Sequence, residues 1–166
     1  MNKSSICVVI LMLSFSVEST FASDTTLERG VAKASTALGP SDVVTATVEA
    51  IEPPNDYVYN KAYLWGGDEA SPPKTIIKAI TVVRNGVVVF IPLSAYADLG
   101  DPISISLLKR PAHGFRLIIS GGDGGGSYRA TLDFKTNEIA RRKVVSGEFP
   151  KDAWEETTYA FNHLNN

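Results

Sequence analysis

Cysteine is almost missing from this 166-residue sequence, with Cys7 the only one. It sits inside the apolar stretch 6–17. The chain beyond that stretch can form neither a disulfide nor a thiolate metal site, so a hydrophobic core must hold it together. Histidine is nearly as scarce: His113 and His163 are the only two, and they do not stand at ligand spacing. A zinc site needs three or four well-placed donors, which excludes zinc as an expectation. Positive charge is not in excess either, since 16 Lys and Arg face 18 Asp and Glu for a net charge of -2. A chain without a basic surplus has little to neutralise phosphates, so nucleic acid is not an expected partner. No apolar run reaches the roughly 20 residues that span a bilayer, and no basic amphipathic helix suggests a membrane surface. The phosphate-loop ending Gly-Lys-Ser/Thr and the Gly-x-Ser-x-Gly elbow are both missing, and no cofactor is expected.

What is present begins with a leader. Lys3 provides a positive start, residues 6–17 an apolar run, and Thr20-Phe21-Ala22 a small-residue ending. This is the order of a secretory signal, here 1–22, followed by a single exported domain over 23–166. The expected location is periplasmic or secreted.

The body of the chain reads mostly with period two. Residues 42–51 alternate Val44, Ala46, Val48 and Ala50 with Thr45, Thr47 and Glu49, as a half-buried strand does. Residues 57–59 and 62–65 are aromatic and β-prone. The β-branched runs 75–84 and 87–91 flank Asn85-Gly86, a strong hairpin signature because both turn positions accept positive φ. The second run is apolar on both faces, which predicts a strand covered on each side. Strands are also expected over 103–108, 115–120, 127–135, 138–146 and 154–161, with a helix from Lys151 as the alternative for the last. In 127–135, Tyr128, Ala130, Leu132 and Phe134 share one face and Arg129, Thr131, Asp133 and Lys135 the other.

Two segments read as helical. Thr25-x-x-Glu28 has capping-box spacing, and Leu27, Val31, Ala34 and Leu38 share a helical face before Gly39-Pro40. Ser94 could cap a single turn through Asp98, ended by Gly100. The sum is an all-β fold with minor helix: an antiparallel sandwich or barrel of about eight strands and one or two short helices.

The chain is organised around 115–134, a strand, a glycine-rich loop and a returning strand. Gly121, Gly122, Gly124, Gly125 and Gly126 surround Asp123. Glycine opens positive φ but costs backbone entropy to order. A hairpin loop with a bulge and a projecting binding loop are weighed equally. In the binding reading the contact residues are Ser120, Asp123, Ser127, Tyr128 and Arg129, because binding groups often ride on loops held by a rigid sheet. Arg142 falls on the face opposite Arg141 and Lys143, where a carboxylate such as Glu148 could pair with it. Asp98 and Asp101 read as turn residues. Asp68 and Glu69 beside Trp65 are a possible sugar-contacting edge, weighed below a solvated loop.

An exported, β-rich domain with Ser120-Gly121 opening a loop and a nearby Tyr128 resembles the bacterial periplasmic lysozyme inhibitors. In that family a Ser-Gly-x-x-Tyr loop enters the lysozyme cleft. Here Tyr128 follows later than the family spacing and stands next to Ser127. The resemblance implies contact through Ser120, Asp123, Ser127 and Tyr128 and a protein partner, a cell-wall hydrolase. Two other functions stay open. One is a small carboxylate-dependent hydrolase or a carbohydrate-binding module with a glycan ligand. The other is a structural or assembly component of an envelope complex.

Overall fold

The computed structural model describes residues 24–27, 29–58, 64–67 and 71–161. The expected leader 1–22, Glu28, Tyr59, the loop acids Asp68 and Glu69, and His163 lie outside the described residues.

The chain folds as an all-β sandwich of two antiparallel sheets. Its strands are β1 (Thr25–Thr26), β2 (Val31–Gly39), β3 (Asp42–Ile51), β4 (Ile76–Arg84), β5 (Val87–Val89), β6 (Pro102–Lys109), β7 (Phe115–Gly121), β8 (Tyr128–Lys135), β9 (Glu138–Ser146) and β10 (Ala153–Thr158). The larger sheet runs β1-β6-β7-β8-β9-β10 and the smaller β2-β3-β4-β5. Two 3-10 turns, Leu93–Ala95 and Gly124–Gly126, are the helical content of the described residues. Tyr96 closes the first, which has no side-chain cap, so Ser94 does not cap it.

Alternation places the core. In β8, Tyr128, Ala130, Leu132 and Phe134 are buried, as the period-two reading expects. They meet Phe115, Leu117 and Ile119 of β7 across the sheet and Val44, Ala46, Val48, Ile80 and Val82 of the other layer. Phe115 and Phe134 stack with centroids 4.4 Å apart. Each buried Val, Leu, Ile or Phe among them contributes about 1.5–3 kcal/mol on leaving water.

Residues 25–38 are not a helix. They carry β1 and then β2, which pairs along its length with β3. Ala32, Ala34 and Leu38 point inward while Val31, Lys33 and Ser35 face out. The segment satisfies period two as well as period 3.6, and its alanines favour a helix in isolation. The hydrogen-bonding edge of β3 decides for the strand. The run 87–91 also differs from expectation: β5 is a three-residue edge strand with Val87 and Val88 exposed, and only Val89 enters the core. It has one neighbour, β4, because the chain turns away at Pro92. The turn before it is as expected, with positive φ at Asn85 (51°) and Gly86 (83°).

Two ion pairs fasten the margins. Arg84 donates from Nε to Asp42 Oδ1 at 2.9 Å and from Nη1 to the Thr136 carbonyl at 2.6 Å, tying the small sheet to the β8–β9 turn. On the outer face of the large sheet Arg116 forks onto Asp133 at 2.6 and 2.7 Å. The Arg84 hydrogen bond is the main force holding the Asp42 carboxyl below its ordinary value of 3.8. For Asp133, burial by itself pushes upward, but Arg116 with Arg110 and Arg141 outweighs it and the carboxyl is also lowered.

A lowered carboxyl binds its proton less readily folded than unfolded. The stability from both groups is therefore complete above about 3.8 and lost as pH falls through their lowered values. Denaturant titrations from pH 7 to pH 2 should show a shallower acid decline for Asp42→Asn and for Asp133→Asn than for the parent. A decline of unchanged slope in both would show that these pairs do not drive acid sensitivity.

Candidate functional site

The glycine loop joins β7 to β8 at one end of the sandwich, and most of its glycines are there to let backbone touch backbone. A Cβ on Gly121 would come within 2.6 Å of both the Asp101 carbonyl and the Tyr128 hydroxyl. One on Gly122 (φ 72°) would strike the Gly126 carbonyl and lie 3.0 Å from Gly66 Cα. One on Gly126 would meet the Gly67 carbonyl, and one on Gly66 (φ 91°) the Gly100 carbonyl. Three distant segments thus interlock: 64–67, 99–101 and 121–126. Backbone hydrogen bonds close the arrangement, from Trp65 N to Asp98 O and Gly100 N to Trp65 O at 2.7 Å each, and from Gly122 N to Asp101 O at 3.0 Å. Asp101 in turn accepts from Thr75 N at 2.8 Å.

Gly121 and Gly122 are therefore buried, and only Asp123, Gly124 and Gly125 stand fully exposed. The tip is ordered by its own bonds. Asp123 Oδ1 accepts from Gly124 N at 2.8 Å, Gly126 N donates to Asp123 O at 2.9 Å, and Ser127 N donates to Gly124 O at 3.0 Å. Beside it runs a groove of about 630 Å³ lined in part by Ser71, Lys74, Asp101, Ile103 and Asp123.

The five expected contact residues are split. Asp123 is exposed on the tip, and Ser127 is half-buried with its carbonyl accepting from Gly147 N at 2.8 Å. Ser120 and Arg129 are cross-strand partners on the outer sheet face, Ser120 half-buried and Arg129 exposed. Tyr128 is 1% exposed and belongs to the core. Its side chain is closed off from any partner, because the alternation that puts Ala130 and Leu132 inside puts Tyr128 inside with them. Its hydroxyl is buried without a hydrogen-bond partner among the described residues. Burial first, then the charges of Asp101 and Asp98, push that hydroxyl well above the ordinary tyrosine range.

A second constellation lies on the inner face near β10. Arg142, 3% exposed, gives Nη2 to Asp98 at 2.6 and 2.8 Å and Nη1 to Glu155 at 2.8 and 3.0 Å. Its partners are Asp98 and Glu155 and not Glu148, which is exposed. Arg142 is thus no part of a solvated face, and Asp98 does more than shape a turn. Trp65 Nε1 donates to Glu155 at 3.3 Å, and Trp65 stacks on Trp154 with centroids 5.3 Å apart. Burial raises the Asp98 carboxyl above its ordinary value against the pull of Arg142. Nothing in the sequence order of Asp98, Arg142 and Glu155 announces this cluster. The one usable sign was an arginine on the apolar face of β9.

Among the described residues no group of three or more His, Cys, Asp or Glu side chains could hold a metal ion. No described helix is long and apolar enough to cross a membrane. Comparison of the chain with protein-family models, with curated proteins and with solved structures finds no match.

Tyr128→Phe should leave thermal stability unchanged or raise it, because it deletes an unpaired buried hydroxyl. Tyr128→Ala should cost about 3–5 kcal/mol in a denaturant melt. A Tyr128→Phe loss comparable to that of the alanine variant would reveal a bonded hydroxyl. Gly66→Ala should destabilise by about 2 kcal/mol or more, combining positive φ with a collision. Gly86→Ala has positive φ but open space, and should cost only about 1 kcal/mol. Equal losses in the two glycine variants would refute the close-packing account.

Proposed function

We propose that this chain is a non-catalytic exported binding domain that engages a protein partner, a cell-wall hydrolase such as lysozyme, through the tip at 123–127 and the groove beside it. The observation that carries this reading is the rigid tip. Three exposed residues sit on a locked glycine base, so docking them freezes little additional backbone, and preorganisation of this kind favours affinity. The exposed Asp123 offers negative charge to a basic hydrolase, and complementary charge speeds encounter. Ser127 and Arg129 flank the tip and complete the contact surface. Tyr128 supports it from below.

A glycan-directed or hydrolytic reading draws on Asp98 and Glu155 beside the stacked Trp65 and Trp154. It ranks second, because both carboxylates are engaged by one buried guanidinium and neither is left to serve as acid, base or nucleophile.

Purified protein titrated into assays of lysozyme and other wall hydrolases should inhibit at least one of them at micromolar concentration. Asp123→Lys should weaken that inhibition by about tenfold or more, by reversing the charge and by removing the acceptor for Gly124 N, and Asp123→Asn, which keeps a side-chain oxygen there, should lose less. Full-strength inhibition by Asp123→Lys would rule out the tip, and no inhibition across the panel would rule out the function.

A further inference from the structure

At the opposite end of β7 and β8, the β6–β7 turn (110–114) and the β8–β9 turn border an open pocket of about 660 Å³. Clefts or cavities of roughly 300–1,000 Å³ accommodate small molecules. Three arginines converge there on one carboxylate. Arg116 takes both Asp133 oxygens with its fork. Arg110 therefore reaches Asp133 only at 3.9 Å, beyond hydrogen-bond distance. Arg141 spends Nη2 on Glu156 at 2.6 Å and turns toward the same pocket, and Lys135 lines it too. Charge is left over. Arg110, Lys135 and Arg141 against Asp133 give +2, and adding the partners Arg116 and Glu156 leaves it at +2. Counting Glu138, the register partner of Lys135, brings the surplus to +1.

We propose that this pocket binds a small organic anion, its charged oxygens on Arg110 and Arg141 and its apolar body against Pro111, Ala112 and Ala140. The guanidinium fork of Arg110 fits a carboxylate or phosphate better than any other side chain does. Arg141 adds its Nη1, since its Nη2 is on Glu156 and its Nε is buried, and the two side chains are 47% and 43% exposed. Asp133 does not repel the ligand, because Arg116 already neutralises it. The turn holding Arg110 is fixed by bonds from Arg110 N to Gly114 O at 2.8 Å and Gly114 N to Pro111 O at 3.2 Å, so the site is built before the ligand arrives. Nothing here depends on the tip at 123–127, and the two sites can be occupied separately.

The test is titration of the purified chain with benzoate and with phenyl phosphate, followed by calorimetry and amide NMR. Inorganic phosphate and benzyl alcohol are the controls. At least one aryl anion should bind, with shifts centred on 110–114 and 135–141, and the tighter of the two identifies the head group. Arg110→Gln, which keeps the turn's backbone bonds, should weaken binding about tenfold without lowering the melting temperature. The proposal fails if neither aryl anion binds, if benzyl alcohol binds as well as benzoate, or if Arg110→Gln binds normally. It fails equally if inorganic phosphate matches phenyl phosphate, since the apolar walls would then contribute nothing.

Discussion

Backbone pressed on backbone at one end of the sandwich is the constraint on which the rest depends. Gly66, Gly121 and Gly126 each meet a carbonyl of another segment at a distance that excludes a Cβ, Gly122 meets the Gly126 carbonyl of its own loop as closely, and Gly100 is closed off by the Pro73 side chain. The contact brings 64–67 and 99–101, which belong to long connections, onto the β7–β8 loop. Ordering so many glycines is entropically expensive. The return is a loop base sealed by mutual backbone hydrogen bonds and by the buried ring of Tyr128. The tip above it inherits that rigidity and exposes only a short, charged stretch.

The Arg142 cluster acts on the same connection from the other side. Asp98 belongs to the crossover that contributes Gly100, and Glu155 to the last strand, so one guanidinium joins β9, β10 and the crossover. A buried ion pair of this kind adds less net stability than an apolar contact of the same volume, since desolvation offsets much of its Coulomb energy. It does constrain the arrangement, because the buried guanidinium is left without a partner unless at least one of the two carboxylates reaches it. The protein is consequently polar in an unusual place, with an arginine facing inward beside Ile139 and Val144, and conventional where the two sheets meet. Its two ends also differ in charge. The glycine end presents Asp123, while the far end carries surplus arginine around Asp133.

Much of the fold was legible. The hairpin at Asn85-Gly86, the strands β3, β4 and β6 to β10, and the inward face of β8 follow from local alternation and turn chemistry. Two segments misled for identifiable reasons. Residues 31–39 fit both helical and strand periods, and only the edge of β3 chose between them. The apolar run at 87–91 lies on a sheet margin, where an outward Val has no layer to meet. At the glycine loop, the sequence left a bulged hairpin and a projecting loop equally open, and the structure shows a close-packed base beneath a short exposed tip. Glycines needed for close approach and glycines needed for freedom look identical in a sequence, since what distinguishes them is the distant segment they touch.

The sequence by itself determined which side chains share a face, because the pleat is a local property: Tyr128 with Leu132, and Arg142 opposite Arg141. Tertiary structure alone decided what each face would meet. Asp98 and Glu155 arrive at Arg142, and Gly66 and Gly100 at the loop, through packing of the connections between strands. Those meetings are fixed by complementarity across the whole core, which no short stretch of chain contains.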